Sequence, residues 1–147
     1  MIAIANNPSQ VVTARILVVD DEPLIRDFVN NMLSRAGHTV TVAADGDAAM
    51  AALENAPFDI VITELVLPGK EGIEMIMDLR KRLPAVKVIA MSGDPRLGAE
   101  NYLRIAGLLG AAKLAKPFTA GALLDIVDGM LSAGSGVPAR FRTARTA

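Results

Sequence analysis

Ile16-Leu17-Val18-Val19-Asp20-Asp21-Glu22-Pro23 holds the decisive pattern: an apolar, partly β-branched run that stops on three acids and a proline. A run of that length and composition reads as a strand covered on both faces. Pro23 suits the first turn of a helix, where its missing N–H is one that a helix start leaves unpaired anyway. The acids therefore lie at the carboxyl end of a strand, just before a helix. Four similar runs follow: Thr39-Val40-Thr41-Val42, Asp59-Ile60-Val61-Ile62, Val86-Lys87-Val88-Ile89-Ala90 and the weaker Ala112-Lys113-Leu114-Ala115.

Between these runs apolar residues recur at three- and four-residue intervals, the helical period. Ile25, Phe28, Met32 and Ala36 form one stripe, closed by Gly37; Ala48, Ala49, Ala52, Leu53 and Ala56 form the next, entered at Asp45 and Gly46. Ile73, Ile76, Leu79 and Leu83 run up to Pro84, and Leu103, Ala106 and Leu109 run up to Gly110. Leu123, Leu124, Val127 and Leu131 complete the set, with Thr119 as the expected N-cap. Strand–helix alternation with short links predicts right-handed crossovers and a parallel sheet with helices on both faces. Five units fit a doubly wound, flavodoxin-like α/β fold, with the five runs ordered 2-1-3-4-5.

Composition narrows the function. The 147 residues are enough for one domain, 52% are hydrophobic, and the formal net charge is -1. That balance gives no electrostatic case for nucleic acid or membrane as the main partner, and aromatics, at 3%, are too few for base-stacking platforms. Cysteine is absent and His38 is the only histidine, which excludes disulfides, thiol chemistry and histidine-rich metal sites. No apolar run approaches the roughly 20 residues that span a bilayer, and the start lacks the pattern of a signal peptide, so a cytoplasmic protein is expected. The expected organisation is a flexible arm over 1–14, one domain over 15–131, and a flexible tail over 132–147 that carries Arg140, Arg142 and Arg145 without an acid. Only that tail follows the fifth helix, so a stand-alone protein without an output domain is expected.

In a doubly wound sheet the site lies outside the carboxyl ends of the strands. There the sequence puts Asp20-Asp21-Glu22, Glu64, Ser92-Gly93 and Lys116-Pro117. Each has a plainer reading alone: Asp20 and Asp21 can cap a helix, Glu64 can be a solvated loop carboxylate, Ser92 a turn residue and Lys116 a surface charge. Together they form a set. The carboxylates make an oxygen-rich pocket suited to Mg²⁺, and a hydroxyl beside an ammonium suits a phosphoryl group.

At these residues the chain resembles the receiver domains of bacterial two-component response regulators, of the chemotaxis-regulator-like, single-domain type. ILVVDDEP (16–23), DIVITELVLPGKEG (59–72), VIAMSG (88–93) and LAKPF (114–118) look like that family's four signature blocks in order and spacing. The resemblance covers about Arg15 to Leu131. It implies that Asp20, Asp21, Glu64 and the Val66 carbonyl hold Mg²⁺, with Asp21, Glu64 and Val66 as the direct ligands and Asp20 acting mainly through water. It implies too that position 64 is the phosphoacceptor, Ser92 the hydroxyl switch and Lys116 the phosphate-binding lysine. The partners implied are a sensor histidine kinase or phosphotransfer protein, and a downstream protein on the face of the fourth helix, fifth strand and fifth helix. The protein would be a phosphorylation switch, not a turnover enzyme, working as a monomer or weak homodimer.

Two positions depart from the family. The acceptor is normally Asp, whereas Glu64 carries its carboxylate about 1.5 Å further out, where it either mimics the phosphorylated form or only bars phosphorylation. It is expected to pair with Lys116. Lys113 stands where an aromatic residue usually swings inward, and an ammonium is costly to bury. Three rivals sit beside this reading. A flavodoxin-type electron carrier would need a phosphate loop after the first strand and aromatics around its ring. A carboxylate-nucleophile phosphatase would need Asp-X-Asp in place of Asp20-Asp21-Glu22. The third is a degenerate receiver acting only as a protein-binding module. His38 is expected to be structural, Met75 and Met77 to be packing or surface residues, and Tyr102 with Ile105 to broaden the apolar face of the fourth helix.

Overall fold

The computed structural model describes residues 12–66, 72–93, 99–132 and 142–143. The run Ile16–Val19 lies in β2 (Arg15–Val19), and the other four become β3 (Thr39–Ala43), β4 (Ile60–Glu64), β5 (Lys87–Ser92) and β6 (Ala112–Ala115). All four pairings are parallel, in the order β3-β2-β4-β5-β6. This is the expected 2-1-3-4-5 order, renumbered because β1 (Val12–Thr13) precedes it. β1 pairs antiparallel with β7 (Arg142–Thr143), a two-residue ribbon inside the segments expected as arm and tail.

β2 and β4 lie at the centre of the sheet, and Ile16, Leu17, Val18, Val19, Ile60, Val61 and Ile62 are fully buried. Their alternation sends Leu17, Val19 and Val61 into one core layer and Ile16, Val18, Ile60 and Ile62 into the other. Continuous apolar character is what a strand covered by helices on both faces requires. The helices are α1 (Pro23–Arg35), α2 (Gly46–Asn55), α3 (Gly72–Arg82), α4 (Ala99–Leu108) and α5 (Ala120–Ser132). Ala49 and Leu53 of α2, Ile76 and Leu79 of α3, and Leu123, Val127 and Leu131 of α5 are buried against the sheet, and in α1 the centre of the buried face is Val29 and Leu33, with Ile25, Phe28 and Met32 packed at its margin. Asp45 caps α2 by accepting from the Ala48 N–H, and Thr119 caps α5 by accepting from the Ala122 N–H at 3.0 Å. Gly37, at φ 101°, follows α1 in the left-handed region that favours glycine.

Candidate functional site

The carboxyl ends of β2, β4, β5 and β6 bring Asp20, Glu64, Ser92 and Lys116 to one crevice. The pairing register aligns these ends: Val19 lies opposite Thr63, Glu64 opposite Met91, and Ser92 opposite Ala115. Asp20 is 0% exposed, Ser92 1% and Glu64 6%, so three polar side chains are sunk at the edge of an aliphatic core. Burial of that kind is costly unless the groups are paired.

Lys116 supplies the pairing. Its Nζ lies 2.5 Å from Glu64 Oε1, 2.8 Å from Asp20 Oδ2 and 3.4 Å from Glu22 Oε1. The expected Glu64–Lys116 pair is therefore present, and the lysine reaches Asp20 as well. Each buried carboxylate also accepts from the backbone: Asp20 Oδ1 from the Glu22 N–H at 2.9 Å, and Glu64 Oε2 from the N–H groups of Leu65 (3.0 Å) and Val66 (3.4 Å). Burial pushes the Glu64 carboxyl up, and neighbouring Asp20 adds to this, while Lys116 opposes it. For Lys116, burial alone would lower the ammonium, but the Asp20 and Glu64 carboxylates outweigh it and hold the lysine firmly charged.

Ser92 Oγ is buried and has no hydrogen-bond partner among the described residues. Its backbone carbonyl is engaged, accepting from the Lys116 N–H at 3.1 Å. Lys116-Pro117 is a cis peptide bond. Asp21 is exposed, and Val66 is half-buried with its N–H turned to Glu64. Residues 67–71 and the side chain of Tyr102 lie outside the described residues.

Several contributors had no clear signature in the sequence. Gly72 opens α3 so close to the end of β4 that a Cβ there would collide with the Glu64 carbonyl oxygen and stand 2.7 Å from Leu65 Cα. A Cβ on Gly93 would lie 2.7 Å from Lys116 Cβ, so that glycine lets the lysine's root pass. Arg26 of α1 donates to the Asp20 carbonyl at 2.8 Å. Arg80 joins three segments, its Nε donating to the Leu109 carbonyl and its Nη1 to those of Pro84 and Val86. Lys113 is exposed, its stem running beside Gly107 of α4. His38 is buried just before β3 and accepts from the Ala14 N–H at Nδ1, a structural role.

The carboxylate donors have the hard-oxygen chemistry of a Mg²⁺ site, and receiver domains typically bind Mg²⁺ at their phosphorylation site. Here the arrangement does not fit that ion. All four carboxylate oxygens of Asp20 and Glu64 already accept from protein donors, and the Lys116 ammonium stands between them. Among the described residues no three His, Cys, Asp or Glu side chains are grouped to hold a metal.

A family model described as the response regulator receiver domain matches residues 16–128. The chain belongs to that family. It is similar to the transcriptional regulatory protein TcrA of Mycobacterium tuberculosis, at 40% identity over 106 residues that cover 71% of this chain and 40% of TcrA. The receiver chain thus spans about two fifths of that relative's length. Its fold is similar to the receiver domain of NtrX from Brucella abortus, with TM-score 0.75 and 33% identity over 81% of this chain and 99% of that one. It is also similar to the chemotaxis response regulator CheY4 of Vibrio cholerae, with TM-score 0.73 and 29% identity over 81% and 99% of the two chains. Among the described residues no helix of this receiver domain is long and apolar enough to cross a membrane.

Proposed function

We propose that this receiver domain does not take a phosphoryl group at position 64 and works with its site filled by its own side chains. The observation that carries this reading is the 2.5 Å contact between Glu64 Oε1 and Lys116 Nζ inside the crevice. The family's phosphate-binding lysine is thereby engaged by a resident anion. A phosphoryl group on this set would meet two partners, Lys116 and Ser92. Glu64 reproduces the contact with Lys116, while Ser92 Oγ keeps no partner among the described residues. The mimicry therefore extends to the lysine and not to the hydroxyl.

The domain is a cytoplasmic signalling module on this reading, not an enzyme with turnover. Its partners belong to two-component signalling: a sensor histidine kinase or phosphotransfer protein at the crevice, and a downstream protein on the α4–β6–α5 face. Ile105 and Leu108 are exposed on α4, Leu108 at 81%, and Lys113 is exposed on β6, which supports that face as the one available for docking. With Lys113 there, docking does not rely on an inward-swinging aromatic ring.

The test is Glu64→Asp. Shortening the side chain opens space in front of Ser92 and Lys116, so the variant should gain one acid-stable phosphate when incubated with acetyl phosphate and Mg²⁺, and the present chain none. Intact-mass spectrometry reads both. Labelling of the present chain at Glu64 overturns the proposal. Failure of both to label favours the second reading, a degenerate receiver that only binds protein partners.

A further inference from the structure

We propose that Lys116 is the built-in cation of this receiver: held between Asp20 and Glu64, its ammonium makes the folded site independent of a divalent metal. The inference rests on the filled-site reading of Glu64 and extends it from phosphate to metal. Two carboxylates buried side by side repel unless a cation lies between them. An ammonium has three N–H donors, and here three carboxylates face it, those of Asp20, Glu22 and Glu64. No donor is left to spare, and the backbone N–H groups of Glu22, Leu65 and Val66 take the remaining oxygens of the two buried carboxylates, Asp20 and Glu64.

The lysine is also held at its root. Its N–H donates to the Ser92 carbonyl, and its Cβ lies where a side chain on Gly93 would be. Mg²⁺ demands near-octahedral oxygen ligands and sheds water reluctantly. To enter, it would have to displace an ammonium already satisfied on every side. The extra methylene of Glu64 is what lets one lysine reach both buried carboxylates, since a side chain shorter by about 1.5 Å would draw Oε1 back toward β4.

The test follows thermal unfolding by circular dichroism, and amide shifts at residues 20, 64 and 92, as MgCl₂ rises to about 20 mM, with ionic strength matched by NaCl. The present chain should show no saturable change. Lys116→Met removes the ammonium and leaves the carboxylates in need of a cation, so it should unfold earlier in EDTA and gain about 5 °C, saturably, with Mg²⁺. If Lys116→Met does not fold, Lys116→Gln, which keeps a donor toward Glu64, serves in its stead. A saturable Mg²⁺ response in the present chain overturns the inference. So does a folded Lys116 variant that ignores Mg²⁺. Neither outcome bears on phosphate labelling at Glu64, so the two proposals fail separately.

Discussion

At the amino end of β2, polar side chains close on backbone groups: buried His38 accepts from the Ala14 N–H at Nδ1, half-buried Asp59 accepts from the Arg15 N–H at 2.8 Å, and Arg15 Nε donates to the Pro57 carbonyl. At its carboxyl end, side chains close on one another, Asp20 and Glu64 meeting through Lys116, which lies 96 residues beyond Asp20. The amino end secures where the strand begins. The carboxyl end gathers charges from three strands and a hydroxyl from a fourth, leaves that Ser92 hydroxyl without a partner among the described residues, and depends on glycines for close approach. The difference separates structure from chemistry: a side chain satisfied by backbone needs only one neighbouring strand, whereas charges satisfied by each other need the whole sheet in register.

Gly72→Ala should break this contrast most severely, because its Cβ would meet the backbone at the end of β4 and not a movable side chain. A loss of about 3 kcal/mol in urea unfolding is expected. A near-neutral result would mean that the carboxyl end tolerates repacking as readily as the amino end.

His38→Ala probes the amino end. Removing the acceptor for the Ala14 N–H should cost about 2 kcal/mol at neutral pH. Burial lowers the His38 pKa from 6.5, with Asp128 of α5 partly opposing it. The unfolded chain therefore binds a proton at higher pH than the folded one. The stability from neutral His38 is complete above 6.5 and declines as pH falls from there toward the lowered folded value. Unfolding at about pH 7.5 and about pH 5.5 should show the gap between the present chain and His38→Ala shrinking in acid. A gap that widens would show that His38 is charged in the fold.

Thr119→Ala should have the smallest effect, about 1 kcal/mol, from loss of the α5 cap. Thr119 lies only three residues beyond Lys116, yet loss of the cap should leave the chain still without a saturable Mg²⁺ response, because Thr119 caps α5 and does not touch the crevice.

Much of the site was legible in the sequence because chemistry-bearing residues follow apolar runs whose strand character is local. Asp20, Glu64, Ser92 and Lys116 each end such a run, and their convergence follows from the parallel order. The division of labour within Asp20-Asp21 was not legible. Asp20 is buried and Asp21 exposed, the Asp20 N–H still donating to the Ala43 carbonyl as the sheet continues past Val19. The alternation of the last strand residue decides which acid turns inward, and two adjacent acids look alike in sequence. Gly72 and Arg80 were missed for a related reason: a glycine at a helix start and an arginine in a helix's last turn are ordinary until the opposing backbone is known.

The sequence by itself determined the doubly wound parallel sheet, the acids, serine and lysine that end its strands, a glutamate at position 64 and the lack of cysteine. Periodicity, residue type and order along the chain are local properties, and they suffice for those conclusions. Tertiary structure alone decided that one lysine serves two buried carboxylates, that Ser92 Oγ is buried with no partner among the described residues, and that His38 holds the start of β2. Those facts depend on distances of about 3 Å between residues far apart in sequence, and only packing of the sheet and its helices sets distances on that scale.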